Sequence, residues 1–122
     1  MKFHESSVAG RNSFTGYGEG YVQVNNTRHE TSVIVTAGRI LPWSAASFDE
    51  LKTGDFDGLA AMALEIVLLG TGMKLRFPHP RLTQSLARAR IGFEAMDLHA
   101  ACRTYNILLA EDRKVAAALL FA

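Results

Sequence analysis

The run Glu65-Ile66-Val67-Leu68-Leu69, followed at once by Gly70-Thr71-Gly72, constrains the fold more than any other part of the chain. An unbroken apolar run this short, closed by glycines, reads as a central strand covered on both faces, because a half-solvated strand would alternate apolar and polar residues. Cover for both faces must come from 122 residues, 48% of them hydrophobic, which is the size and composition of one globular domain. The other long apolar stretch, Val115 to Ala122, also falls far short of the roughly 20 residues needed to cross a bilayer.

Around this strand the pattern divides in two. Residues 1–13 show no sustained period and read as an N-terminal arm, and residues 14–122 read as a single domain. Phe14 to Gly20 is punctuated by glycines, Tyr21-Val22-Gln23-Val24 alternates, and Asn25-Asn26 suits a turn. Thr31 to Thr36 is β-branched, and Ile40-Leu41 resumes an extended path, so this half reads as an antiparallel meander. Ser47-Phe48-Asp49-Glu50 has the capping-box spacing and predicts a short helix. Pro80 is placed to open a helix and Gly92 to stop it. Phe93–Met96 reads as a strand, Asp97 as the cap of a helix with a broad apolar face, and Arg113 to Leu120 as the last strand. Strand, helix, strand, helix, strand predicts right-handed crossovers on a parallel or mixed sheet.

Net charge is +1, which selects no partner, but its distribution is uneven. Residues 49–65 carry five acids against Lys52, whereas 66–93 hold Lys74, Arg76, Arg81, Arg88 and Arg90 and no acid. An acidic side and a basic side are expected. The opening residues lack the basic start and apolar core of a secretory signal, and Cys102 is the sole cysteine, so a cytoplasmic location without disulfides is expected. His4, His29, His79 and His99 are scattered without ligand spacing, so no metal and no cofactor is expected.

Gly70-Thr71-Gly72 ends a buried strand, where backbone amides can hold an anion, and Lys74 can reach the same place; these four are the candidate ligand-binding residues. The turn lacks the spacing and lysine of a P-loop. Cys102 lies three residues after His99 on one helix, a spacing that allows a thiol–imidazole pair, although small neighbours favour an inert buried thiol. No nucleophile, base and oxyanion set assembles, so catalysis is not expected, and no aromatic–basic motif points to nucleic acid. Trp43 after Pro42 suits a core wedge or an interface, and Arg103 sits among small residues where, if buried, it would need a partner.

The stretch Met96 to Leu119, with Asp97, Cys102, Arg103, Thr104, Tyr105, Asn106, Glu111 and Arg113, resembles the closing segment of the Mth-type domain family. That family is of largely unknown function and includes a mitochondrial assembly factor of respiratory complex I. Leu68-Leu69-Gly70-Thr71-Gly72 and Leu41-Pro42-Trp43 resemble its strand-end motifs. Leu98-His99 depart from the family's usual Thr-Gly after the aspartate. The resemblance implies a three-layer α/β domain: a mixed central β-sheet with helices and an N-terminal antiparallel β-layer. It also implies a protein-binding role in the mitochondrial member and no established reaction.

The function expected on these grounds is an assembly-factor-like interaction domain of a bacterial, cytosolic kind. Its candidate partner-binding residues are Trp43, Arg76, Arg81, Arg88, Arg90 and Arg103, and an exposed face of the meander could support a homodimer. The alternative is a small-ligand or anion-binding domain, or an enzyme, using the Gly70-Thr71-Gly72 turn.

Overall fold

The computed structural model describes residues 10–122. The N-terminal arm expected over residues 1–13 lies largely outside them. Its last residues are tied to the body of the fold: the Asn12 amide donates to Ala37 O at 2.9 Å and the Asn12 side chain to Thr36 O at 3.0 Å.

Among the described residues eight strands form two sheets. Strands β1 (Phe14–Gly18), β2 (Tyr21–Val24) and β3 (Thr27–His29) make an antiparallel three-stranded sheet. Asn25 and Asn26 turn the second hairpin at φ of 51° and 69°, the left-handed region that asparagine tolerates. Strands β4 (Val33–Thr36), β5 (Ile40–Pro42), β6 (Ile66–Thr71), β7 (Gly92–Met96) and β8 (Val115–Leu120) form the central sheet in the order β5-β4-β8-β6-β7. The N-terminal half is therefore not one meander. Its last hairpin, β4–β5, joins the central sheet by pairing antiparallel with β8, which supplies the antiparallel part of a mixed sheet.

β6 is parallel to both its neighbours, β7 and β8. Its apolar run is explained by cover on both sides, because side chains alternate across a strand. Leu68 joins Val115, Ala117 and Leu119 of β8 in one core with Phe14, Val22 and Val24 of the small sheet. Val67 and Leu69 join Ala116, Ala118 and Leu120 in the other core with Trp43, Phe56, Leu59 and Leu86. The first core is covered by the three-stranded sheet and by α3 (Leu98–Ala110). The second is covered by the 3-10 turns Phe48–Glu50 and Thr53–Phe56, by α1 (Asp57–Ala60), and by the 3-10 turn Pro80–Thr83 running into α2 (Gln84–Arg88).

Two local expectations are corrected. Ser47 makes no side-chain cap, and the segment behind it is a single 3-10 turn. The carboxylate that organises this region is Asp55, which accepts from the Lys52 amide at 2.7 Å and from Ser44 Oγ at 2.7 Å. Gly92 does not stop a helix: it opens β7, and α2 ends two residues earlier with Arg90 at φ 61°. There the Ile91 amide donates to Leu86 O at 2.9 Å and the Arg90 amide to Ala87 O at 3.0 Å, which is a Schellman ending. α3 ends in the same way, with Asp112 at φ 61° and Arg113 donating to Leu108 O at 3.0 Å. Pro80 does open its turn and Asp97 does cap α3, its Oδ1 accepting the Ala100 amide at 2.9 Å.

Candidate functional site

Adjacent parallel strands β6 and β7 send their following segments to opposite faces of the sheet: Met73–Thr83 to the Trp43 side, Asp97 and α3 to the Phe14 side. Such a switch point leaves a crevice where α/β proteins often bind ligands. The candidate residues Gly70, Thr71, Gly72 and Lys74 sit there, and the chain itself stitches the crevice shut. Thr71 is 2% exposed, and its hydroxyl lies 2.8 Å from Lys74 O and 3.2 Å from Met96 O, so its one proton serves those carbonyls while its oxygen accepts the Arg76 amide at 3.1 Å. Gly72 O accepts the Leu98 amide at 2.7 Å, tying the turn to the first residue of α3. Gly70 is required by packing: a Cβ there would stand 2.8 Å from Leu119 Cδ2 and 3.3 Å from Ala101 Cβ. Gly72, at φ 79°, is required by backbone geometry. The turn is a joint between strand and helix, and its hydroxyl is already committed.

α3 places the motif residues on two faces. Leu98, Ala101, Cys102, Tyr105 and Leu109 point into the core. Burial pushes the Cys102 thiol up to about 12, against a small opposing pull from Arg103, so it stays protonated at neutral pH. His99 forms no pair with it. The imidazole instead stacks on Tyr17 at 4.4 Å between ring centroids and donates through Nε2 to Gly18 O at 2.9 Å, in the tautomer protonated there. Burial also raises the Tyr105 phenol, whose OH donates to Asn12 O at 2.8 Å, and its ring meets Phe14 edge-on at 5.1 Å. Asn106 bonds both backbone groups of Phe14. Three motif-region side chains, His99, Tyr105 and Asn106, thus fasten the N-terminal strands to the helix, a role that helical spacing alone does not reveal because their partners lie more than 80 residues away in sequence.

On the outer face Arg103 donates through Nη1 to Tyr17 OH at 3.3 Å, and this hydrogen bond is the main reason its already high pKa rises. Ile107, one turn further on the same face, is 58% exposed. Sequence reading missed Ile107, although its position four residues after Arg103 was available as a signal. Thr104 is half-buried and Glu111 exposed, while Arg113 pairs with Glu65 at 2.7 Å.

The remaining partner candidates do not form one patch. Trp43 is only 7% exposed, its Nε1 donating to Asp55 O at 2.8 Å and its ring edge-on to Phe56, so it is a core residue and offers no ring to a partner. Arg76 is spent on Asp49 at 3.2 Å and lies over the Phe48 ring. That pair also joins the expected acidic and basic sides instead of separating them. Lys74 and Arg81 flank the loop beyond the end of β6. Arg88 and Arg90 precede Gly92, which pairs with Ile66 at the start of β6, so the length of a six-residue strand, roughly 20 Å, separates the two groups.

Among the described residues no group of three or more His, Cys, Asp or Glu side chains could hold a metal, and no helix is long and apolar enough to cross a membrane.

Comparison with known proteins places this architecture. An uncharacterised Rhodobacter capsulatus protein is 34% identical over 98% of this chain and 93% of its own length. The 13 kDa major membrane protein of Francisella tularensis is 27% identical over 98% of this chain and 99% of its own. Assembly factor 3 of the NADH dehydrogenase (ubiquinone) 1 alpha subcomplex from Mus musculus is 31% identical over 66% of this chain, which spans 45% of that longer protein. A crystal structure from Bordetella parapertussis superposes with a TM-score of 0.87 at 34% identity, covering 93% of this chain and 98% of the other. A Bordetella pertussis structure described as an Mth938-like domain gives 0.78 at 30%, covering 94% and 87%. The profile of the family described as "Protein of unknown function (DUF498/DUF598)" matches residues 14–120, from the first strand to the last, and the chain belongs to that family.

Proposed function

We propose that the chain is a non-enzymatic protein-interaction domain that acts as an assembly factor for a respiratory or other membrane complex, in the cytoplasm of a bacterium. The observation that carries this reading is the division of labour on α3. Its chemically capable side chains Asp97, His99, Cys102, Tyr105 and Asn106 are used inside the fold, while Arg103, bonded to Tyr17, and the 58% exposed Ile107 four residues further on lie on the outer face. Exposed apolar surface next to arginine and tyrosine is the composition of a docking hot spot. The likeness to the mouse complex I assembly factor and to the Francisella membrane protein supports a client that resides in a membrane.

The test is affinity capture from the native cells with wild type and an Arg103→Glu/Ile107→Glu variant, followed by quantitative mass spectrometry. Subunits of a respiratory or membrane complex enriched by wild type and lost with the folded variant support the reading. Equal recovery by both proteins, or none above background, overturns it.

A further inference from the structure

Beyond β6 the chain runs Met73-Lys74-Leu75-Arg76-Phe77, with apolar and basic residues alternating. The three apolar side chains are all turned outward, with 57%, 46% and 74% of their surface exposed. Arg76 turns inward to Asp49 and Phe48. The loop is held in this arrangement by Thr71, whose hydroxyl engages Lys74 O and the Arg76 amide on either side of Leu75. Exposure of Met73, Leu75 and Phe77 is therefore built into the fold, and little ordering cost remains for binding.

Five residues offer far less than the roughly 800 Å² each partner contributes to a standard protein interface. A lipid interface needs no matching shape, because apolar side chains enter the headgroup–acyl boundary individually. Charge agrees: no Asp or Glu occurs from Ile66 to Phe93, Lys74 lies between Met73 and Leu75 and Arg81 follows four residues after Phe77, and the Asp49 carboxylate is already paired with Arg76. We propose that the Met73–Phe77 loop is a peripheral membrane contact, in which Met73, Leu75 and Phe77 enter an anionic phospholipid surface while Lys74 and Arg81 meet its headgroups. This surface is distinct from the Arg103–Ile107 face, and the proposal does not rest on a protein partner.

The test is flotation of the full chain with vesicles of phosphatidylcholine, with and without phosphatidylglycerol, across a salt series. The folded protein should float with the anionic vesicles, weakly with phosphatidylcholine alone, and be released as salt rises. Leu75→Ser/Phe77→Ser should lower partitioning by about tenfold or more, and Lys74→Glu/Arg81→Glu by about tenfold with loss of the salt dependence. Ile40→Ser, which removes exposed apolar surface elsewhere, should float like wild type. Absence of flotation at low salt, or equal loss with Ile40→Ser, overturns the proposal. So does a captured protein that depends on Phe77 when the vesicles bind nothing.

Discussion

Asn106 bonds Phe14 as a neighbouring strand would: its Oδ1 accepts the Phe14 amide at 2.9 Å and its Nδ2 donates to the Phe14 carbonyl at 2.7 Å, from 92 positions away. One side chain on α3 thereby completes the first strand of the small sheet. Asn106→Leu leaves both backbone groups without a partner in a half-buried setting and should cost about 2–4 kcal/mol. Urea unfolding would measure the loss. Hydrogen exchange should show it concentrated in β1 and β2, whereas a uniform loss across the chain would deny Asn106 its latching role.

Gly70 sets how closely α3 approaches the central sheet. The Leu119 methyl that a Cβ would meet at 2.8 Å can swing aside, but the Ala101 Cβ at 3.3 Å and the Leu98 backbone at 3.5 Å cannot move without the helix. Gly70→Ala should therefore destabilise by about 1–3 kcal/mol. Thr71→Ser, which keeps the hydroxyl, should cost less than Thr71→Val, which orphans the Arg76 amide. A thermal melt series on the three variants separates packing from hydrogen bonding.

Glu65 joins the entry of β6 to that of β8. Its carboxylate accepts the Lys114 amide at 3.0 Å and Arg113 Nε at 2.7 Å, and these bonds, the Lys114 amide first, hold its pKa below the usual range. A carboxylate depressed on folding adds stability above its unfolded pKa of about 4.3, and that contribution is lost as pH falls through the lower folded value. Glu65→Gln should accordingly show a flatter acid limb. Wild type and variant should converge in stability below that window, as read by denaturant midpoints at successive pH values.

Cys102 is fully buried, and its thiol needs a pKa of about 12 to be overcome before it reacts. Alkylation in the folded protein should be slower than in denaturant by about a hundredfold or more, and Tyr105→Phe should quicken it only through lost stability. Rapid labelling of the native thiol would place it at the surface and contradict its packing in the core.

The central sheet was legible because its signal is local: Ile66 to Leu69 and Val115 to Leu120 are apolar on both faces, and only buried strands read so. The caps Pro80 and Asp97 were legible for the same reason. What the sequence did not show is long-range. Nothing in Ile40-Leu41-Pro42 says that its hairpin leaves the N-terminal strands for β8, and nothing in Trp43 says that Asp55 O awaits its indole at 2.8 Å. At the candidate site, glycine and threonine at a strand end are equally compatible with an anion cradle and with a packed joint. Only the positions of Leu119, Ala101 and Met96 decide between them.

The helix stop expected at Gly92 falls instead at Arg90 for a physical reason. Sequence reading looks for glycine at the left-handed position after a helix, but α2 and α3 put Arg90 and Asp112 there, each at φ 61°. A side chain in that region costs roughly 1–2 kcal/mol, part of which glycine would return to the unfolded chain as entropy. Arg90→Gly should then stabilise the domain by about 0.5–1 kcal/mol, with the Ile91 to Leu86 hydrogen bond kept. Asp112→Gly should gain less, because it also removes the 3.2 Å pair with Arg11. Arg90→Ala isolates the backbone effect from the loss of charge: it should leave stability near wild type. A denaturant series in which Arg90→Ala and Arg90→Gly were equally stable would show that the left-handed turn is not what Arg90 contributes against.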